Sequence, residues 1–446
     1  MATHASLAAT LADSRFGYGR APNAPLAASP AAMLKAQLDR YDLRPESLSA
    51  TPASPDLAAR LAELQRTRNM QQLRELARTA YATSAAARVA TAATSPAPFA
   101  ERLVHFWANH FTVSADRPQT LALAGPHEFE AIRPHILGRF EDMLLASTRH
   151  PGMLLYLDQA RSIGPGSQQA GRQQERGRRA AGLNENLARE ILELHTLGVD
   201  GGYTQADVTE LARALTGWTV SGPADAAPGS FRFRAAAHQP GDRQLLGRGF
   251  AAAGETQARD MLVMLARHPA TARHLSVKLA RHFVADNPPE ALVARLTGSY
   301  LESGGDLAAL YRTLIASPEA WAPQQAKFKT PWDWTISTLR LLDMTALPGR
   351  QGVTLFAELG QPLWRPGSPA GWPDTTADWA APDALFRRVE AASRLARLAP
   401  GVDARALAEA ALPGLLSAET AGAISRAEDG PQALALLLVS PEFLRR

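Results

Sequence analysis

The chain has 446 residues, 46% apolar and 20% charged, with 47 basic and 43 acidic side chains for a formal net charge of +4. That composition fits a globular protein long enough for two or three domains or for one large helical body. There is no cysteine, which excludes disulfides, zinc–thiolate centres, thiol catalysis and cysteine-ligated iron–sulfur clusters.

The charge balance also argues against a nucleic-acid partner. A binder of that kind concentrates positive charge on one face. The only dense basic run here, GRQQERGRR at Gly171–Arg179, has no interleaved aromatic residue. No stretch reaches the roughly 18 apolar residues of a membrane span. The opening MATHASLAATLADSRFGYGR lacks the basic and apolar regions of a signal peptide. A cytoplasmic location is expected, with export alongside a signal-bearing partner as the alternative.

In chain order, residues 1–55 read as an N-terminal helical extension ending in a Ser/Pro-rich linker, and residues 56–446 as a helical main body. Apolar residues recur at three- and four-residue steps, which predicts helices over Leu57–Leu64, Phe99–Phe111, Leu187–Leu197, Val208–Trp218, Met261–Leu265, Leu275–Phe283, Leu307–Ile315 and Leu434–Leu438. The segment 161–182, rich in Gly, Gln and Arg, has no periodicity and is expected to be mobile. One short hairpin is expected within Ser230–Phe250, where Phe231 and Phe233 alternate with arginines before a Pro-Gly-Asp turn. Residues 361–383 form a long loop loaded with Pro, Gly and Trp. Ser317-Pro318-Glu319 and Ser440-Pro441-Glu442 each read as a helix start. The fold class is therefore mainly α: a single large multi-helical body with one short β-hairpin and long loops.

Two helices carry the residues suited to chemistry. In FAERLVHFWANHF at Phe99–Phe111, a broad apolar arc leaves a polar stripe of Glu101, Arg102, His105 and Asn109. Trp107 and His110 lie on the apolar side. A histidine one turn from a carboxylate suits a general acid or base, and the same stripe suits a structural hydrogen-bond network. In the helix after Asn184, His195 falls on the apolar side and needs a buried partner. Glu185, Arg189 and Glu193, with Asn186 and Glu190 beside them, form a charged ladder that also suits a solvated helix face. Gly198, Gly201 and Gly202 close this helix, and Thr204-x-x-Asp207 reads as a capping box for the next one, which carries Arg213. No H-E-x-x-H, paired Glu-x-x-His, G-x-S-x-G, Walker or dinucleotide fingerprint occurs, so metal and cofactor stay unassigned. Six of the eight tryptophans fall late, at Trp321, Trp332, Trp334, Trp364, Trp372 and Trp379, and suit either ligand stacking or core filling.

Several of these blocks also carry a resemblance. RFGYG at Arg15–Gly19, HFWANHFTVS at His105–Ser114, NENLAREILELHTLGVDGGYTQADVTELARALTGW at Asn184–Trp218, KFKTPWDWTISTLR at Lys327–Arg340, LGQPLWRPGSPAGWPDTTADW at Leu359–Trp379 and SPEFLRR at Ser440–Arg446 resemble the bacterial family called domain of unknown function 1800. The resemblance spans nearly the whole chain. It implies a mostly helical fold and, from the family's gene neighbourhoods, a co-encoded protein partner and co-export with it. It implies no reaction. One departure is His238-Gln239-Pro240-Gly241, where the family often has a His-Asp pair before glycine.

The leading reading is an enzyme with a polar His/Glu/Arg cleft, doing acid/base or metal-assisted chemistry on an unknown substrate. His105 would be the general base or a metal ligand, His195 a buried second histidine, and Glu190 or Glu193 the carboxylate partner. Asn109 and Arg102 would position substrate, Arg213 would contact an anion, and the Trp364–Trp379 loop would be a lid. Trp107, His110, Asn184, Asn186, Arg189 and Trp372 complete the candidate substrate contacts. The alternative is a non-catalytic binding or assembly protein acting with a co-encoded partner. Convergence of His105, Asn109, Arg189 and Glu193 on one pocket would favour the enzyme, and dispersal would favour the binding protein.

Overall fold

The computed structural model describes residues 4–177, 182–347 and 351–446. Its regular structure is mainly helical. Strand among the described residues is limited to two small two-stranded antiparallel sheets.

The helix Pro98–His110 runs through the centre. Proline at its first turn and Glu101 beside it suit a helix N-terminus. Every residue of it except Asn109 is buried. A helix this apolar must be covered on all sides, and its neighbours do so. The N-terminal segment contributes Phe16, which stacks on Phe283 and meets Phe99 edge-on and Trp321 at a tilt. Residues read as an extension thus place Phe16 and Tyr18 in the central core. The 25-residue helix Met70–Thr94, capped by Asn69, packs along Pro118–Pro126. A Cβ on Gly125 would lie 2.4 Å from Ser84, so glycine permits this close approach.

Two further helices flank the centre. Pro269–Phe283 starts at a His268 cap, and Pro331–Leu341 starts at a Thr330 cap that accepts from the Asp333 N–H. Ser440 caps Pro441–Leu444, whereas Ser317 opens only the 3₁₀ turn Pro318–Trp321. The last residues return to the core. Arg446 and Lys327 exchange backbone hydrogen bonds at 2.9 and 3.3 Å, which turns the Arg446 side chain inward.

The Asn184–Trp218 segment departs from simple helical periodicity. Asn186–Glu190 is α-helical, but Ile191–His195 widens into a π-helical turn. The capping box of Thr204 and Asp207 is present and opens Gln205–Leu215. Trp218 then leaves the helix and begins a strand, Trp218–Val220, paired with Phe231–Phe233. The short hairpin joins Arg243–Leu245 to Arg248–Phe250. It turns at Leu246-Gly247, both with positive φ as a two-residue hairpin requires, rather than at the Pro-Gly-Asp step. The expected mobile segment 161–182 lies partly outside the described residues, and its described part includes the helix Gln168–Glu175. Residues 361–383 are mostly irregular apart from the short helix Thr376–Trp379.

Candidate active-site cavity

A cavity of about 350 Å³ opens where these elements meet. The central helix supplies His105, Phe106, Asn109 and His110. The Pro269–Phe283 helix supplies Lys278 and His282, with Arg281 between them. Trp332 and Asp333 come from the Pro331–Leu341 helix, Arg88 from Met70–Thr94, and Tyr18 from the N-terminal segment. The 361–383 loop closes the remaining side with Trp364, Trp372 and Asp374.

His282 and Asp374 form the most defined pair. His282 Nδ1 lies 2.6 Å from Asp374 Oδ2. Burial by itself would raise the Asp374 carboxyl. The facing His282, Lys327 and Arg446 outweigh burial and hold it well below the usual carboxylate range. Lys327 reaches the Asp374 main-chain oxygen at 2.5 Å, and Nζ also pairs with Asp286 at 2.6 Å. An ionised Asp374 can only accept, so Nδ1 carries the ring proton. His282 Nε2 is then a bare lone pair, and that atom is buried without a hydrogen-bond partner among the described residues. Burial keeps His282 below the ordinary histidine pKa, with Asp374 pulling the other way.

His105 is arranged differently. The Tyr18 hydroxyl accepts from Trp332 Nε1 at 3.2 Å and lies 2.5 Å from His105 Nδ1. The single hydroxyl proton therefore goes to Nδ1, and burial keeps Tyr18 protonated far above neutral pH. His105 Nε2 must then hold the imidazole proton, 3.7 Å from Glu128 Oε1. Burial, followed by the charges of Arg88, Arg133 and Arg102, holds His105 well below the ordinary histidine pKa. His282 and His105 are thus neutral rings of opposite tautomer: one offers a lone pair, the other an N–H. Glu128 is itself held by Arg88 at 2.9 Å and by Trp364 Nε1 at 2.8 Å. Arg88 lies over the Trp332 and Trp364 rings at 4.4 and 5.0 Å.

Asp333 anchors the floor. Arg102 meets it at 2.9 Å and Arg446 at 3.0 Å. Burial pushes the carboxyl up, but these two guanidinium groups bring it down to about 2. Among the described residues, no group of three or more His, Asp and Glu side chains is placed to hold a metal ion.

The model of the family described as "Protein of unknown function (DUF1800)" matches residues 12–445. The chain belongs to the DUF1800 family. No curated protein and no solved structure matches it. The family and the mainly α fold agree with the sequence reading, and the site has to be judged on its own geometry.

In this DUF1800 protein, six of the residues singled out in the sequence line the cavity: His105, Asn109, His110, Trp332, Trp364 and Trp372. Asn109 joins the loop to the helix, bonding both backbone groups of Trp372. His110 Nε2 lies 3.1 Å from the His195 carbonyl, and its Nδ1 has no hydrogen-bond partner among the described residues.

The others lie elsewhere. Arg102 is buried behind the cavity, bonding Asp333 and the Gly17 carbonyl. Trp107 is core, with Nε1 on the Tyr311 hydroxyl at 2.6 Å. His195 is buried against His110 and Phe111 at ring distances of 6.0 and 5.0 Å, and burial lowers its pKa to about 3. The imidazoles that share the cavity with His105 are His110 and His282, not His195. The charged ladder does not reach the cavity. Glu185 bonds Gln205 and Thr209 of the following helix, and Arg189 bonds Gln205 at 2.9 Å. Glu193 accepts from Tyr203, and Arg213 pairs with Glu210. Glu190 is half-buried, its carboxyl raised by burial and then by Glu193. Asn186 is exposed, and Asn184 donates to the Leu157 carbonyl and accepts from the Asn186 N–H. His238 bonds the Thr216 carbonyl. Convergence therefore holds for His105 and Asn109 but not for Arg189 and Glu193.

Sequence reasoning missed His282, Asp374, Lys278, Arg281, Tyr18 and Arg88. Two signals were present. Lys278, Arg281 and His282 stand at i, i+3 and i+4, a polar stripe beside the apolar Ala272, Leu275, Leu279 and Phe283 face of their helix. Asp374 sits in the tryptophan-rich block, directly after Gly371-Trp372-Pro373.

Proposed function

We propose that this protein is an enzyme in which His282, oriented by Asp374, acts as general base on a small substrate held in the cavity. The observation that carries this reading is the 2.6 Å His282–Asp374 contact with Nε2 left bare. A carboxylate behind an imidazole fixes its tautomer and stabilises the imidazolium formed when Nε2 takes a proton. The proton can then return from Nε2 to the product. His105 suits the complementary role of hydrogen-bond donor through Nε2–H, since Tyr18 already occupies its Nδ1. That tautomer makes His105 a poor base, so the base moves to His282. The loop bearing Trp364 and Trp372 excludes water and is fastened through Asn109.

The test is turnover of a small-metabolite library by purified protein, followed by mass spectrometry. A substrate consumed by the wild type should be consumed about 10²–10⁴-fold more slowly by His282→Gln. Equal turnover by that variant contradicts the reading. One surface favours the other reading, a binding or assembly protein. Phe386 and Val389, 63% and 47% exposed, stand one turn apart on the helix Pro382–Arg397. A library compound bound by the wild type but never converted would favour it.

A further inference from the structure

The charges around the cavity do not all find partners within the protein. Arg88 is matched by Glu128, Arg102 and Arg446 by Asp333, and Lys327 by Asp286 and Asp374. Both cavity carboxylates are engaged in turn, Asp374 by His282 and Asp333 by two arginines. Two cations are left over. Lys278 and Arg281 line the cavity, and neither forms an ion pair with a described residue. Arg281 uses only Nε, on the Asp286 carbonyl at 3.1 Å, which leaves its two Nη groups unbonded among the described residues. Both side chains are half-buried. Burial has already lowered the Lys278 ammonium to about 8, so this charge is only partly solvated.

Unpaired cations in a partly desolvated cavity favour a ligand that neutralises them. Their position adds direction. They stand three residues apart on one helix, and His282 follows Lys278 by four residues, one turn further along the same face. An anionic group held by the two cations would lie beside the imidazole. At about 350 Å³, the cavity suits a small metabolite rather than a polymer segment.

We infer that Lys278 and Arg281 form an oxyanion-binding rim and that the substrate is a small molecule carrying a carboxylate or phosphate next to its reacting centre. This rests on the acid/base reading of His282, but the rim is testable apart from it. Lys278 and Arg281 are positioning residues for the anionic substituent, and the proton moves at His282.

Calorimetric titration of the full chain at low ionic strength with inorganic phosphate, benzoate and neutral benzamide is the test. One of the two anions should bind with one-to-one stoichiometry, and neutral benzamide should bind more weakly than that anion. Binding should weaken about tenfold or more in Lys278→Met and, separately, in Arg281→Gln. Lys278→Arg should retain it, which guards against a folding defect in Lys278→Met. Preference for phosphate or for benzoate identifies the anionic group. Absence of binding by both anions, or equal affinity in wild type and both charge-removing variants, overturns the rim. His282→Gln should still bind the anion. Retained anion binding with turnover unaffected by His282→Gln would overturn the acid/base reading and leave the rim standing.

Discussion

Asn109 holds Trp372 by two hydrogen bonds in opposite senses. Its Nδ2 donates to the Trp372 carbonyl at 2.9 Å, and its Oδ1 accepts from the Trp372 N–H at 2.7 Å. One amide side chain thereby does for the loop what a neighbouring strand would do. The preceding Gly371 has φ +79°, and a Cβ there would lie 2.4 Å from the Asn109 carbonyl, so the clamp also needs glycine. Asn109→Ala is expected to cost about 1–3 kcal/mol, because both backbone groups lose their partner. Hydrogen exchange at residues 366–376 should speed up, with the remaining helices unchanged. Unchanged exchange in that segment would mean that the loop is held by other contacts.

Arg102 makes a second, opposite prediction. It was a candidate for positioning substrate, yet it lies behind the cavity on Asp333 and Gly17. Arg102→Met should destabilise the fold by about 3–5 kcal/mol, since it removes one partner of a buried ion pair. Arg102→Lys should rescue only part of this, because a lysine cannot serve the carboxylate and the Gly17 carbonyl in the same fork. Chemical denaturation measures both. A stable Arg102→Met protein with weakened ligand binding would return Arg102 to the site.

Stability should fall on the acid side of neutrality. His105, His110 and His195 all have pKa values lowered by burial, His195 to about 3. A lowered histidine stays neutral in the folded state while the unfolded chain takes up a proton below about 6.5. The stabilising contribution is thus complete above about 6.5 and is lost as pH falls toward the folded value. Each such histidine adds a slope of about 1.4 kcal/mol per pH unit across that window. Asp333, depressed from 3.8 to about 2, adds a loss of the same sign between those values. Melting temperatures measured from pH 7 to pH 4 should therefore drop steadily. A His195→Gln variant should show a shallower drop, and an identical slope would contradict the assignment.

The charged ladder should tolerate change. Among the described residues, the partly exposed side chains of Glu193 and Arg213 bond only to Tyr203 and Glu210. Glu193→Gln and Arg213→Ala should alter stability by about 0.5 kcal/mol or less and leave any turnover intact. A large loss of turnover in either variant would place a second functional surface on these helices.

The pattern of apolar residues was enough to locate the central helix, because Phe99–Phe111 buries nearly all its faces and few other structures fit that run. It was also enough to find Thr204 and Asp207, whose capping chemistry is local. It placed His195 on the buried side but not among its neighbours. The π turn at Ile191–His195 breaks the 100° step on which a helical wheel relies, so its neighbours could not be read from spacing. The ladder Glu185–Arg189–Glu193 looks like chemistry in one dimension and proves to be a tie between two consecutive helices. His282 and Asp374 are 92 residues apart, and only the tertiary fold brings them together. Tyr18 illustrates the same limit, since it reaches His105 across 87 residues.

The protonation state of the His282 ring tests the site most directly. Nitrogen-15 NMR of the histidine side chains at neutral pH should find His282 protonated at Nδ1 with a bare Nε2, and His105 protonated at Nε2. Replacing Asp374 by Asn removes the charge that supports the imidazolium, so the His282 pKa should move down. A His282 ring carrying its proton on Nε2, or a titration indifferent to Asp374→Asn, would contradict the account.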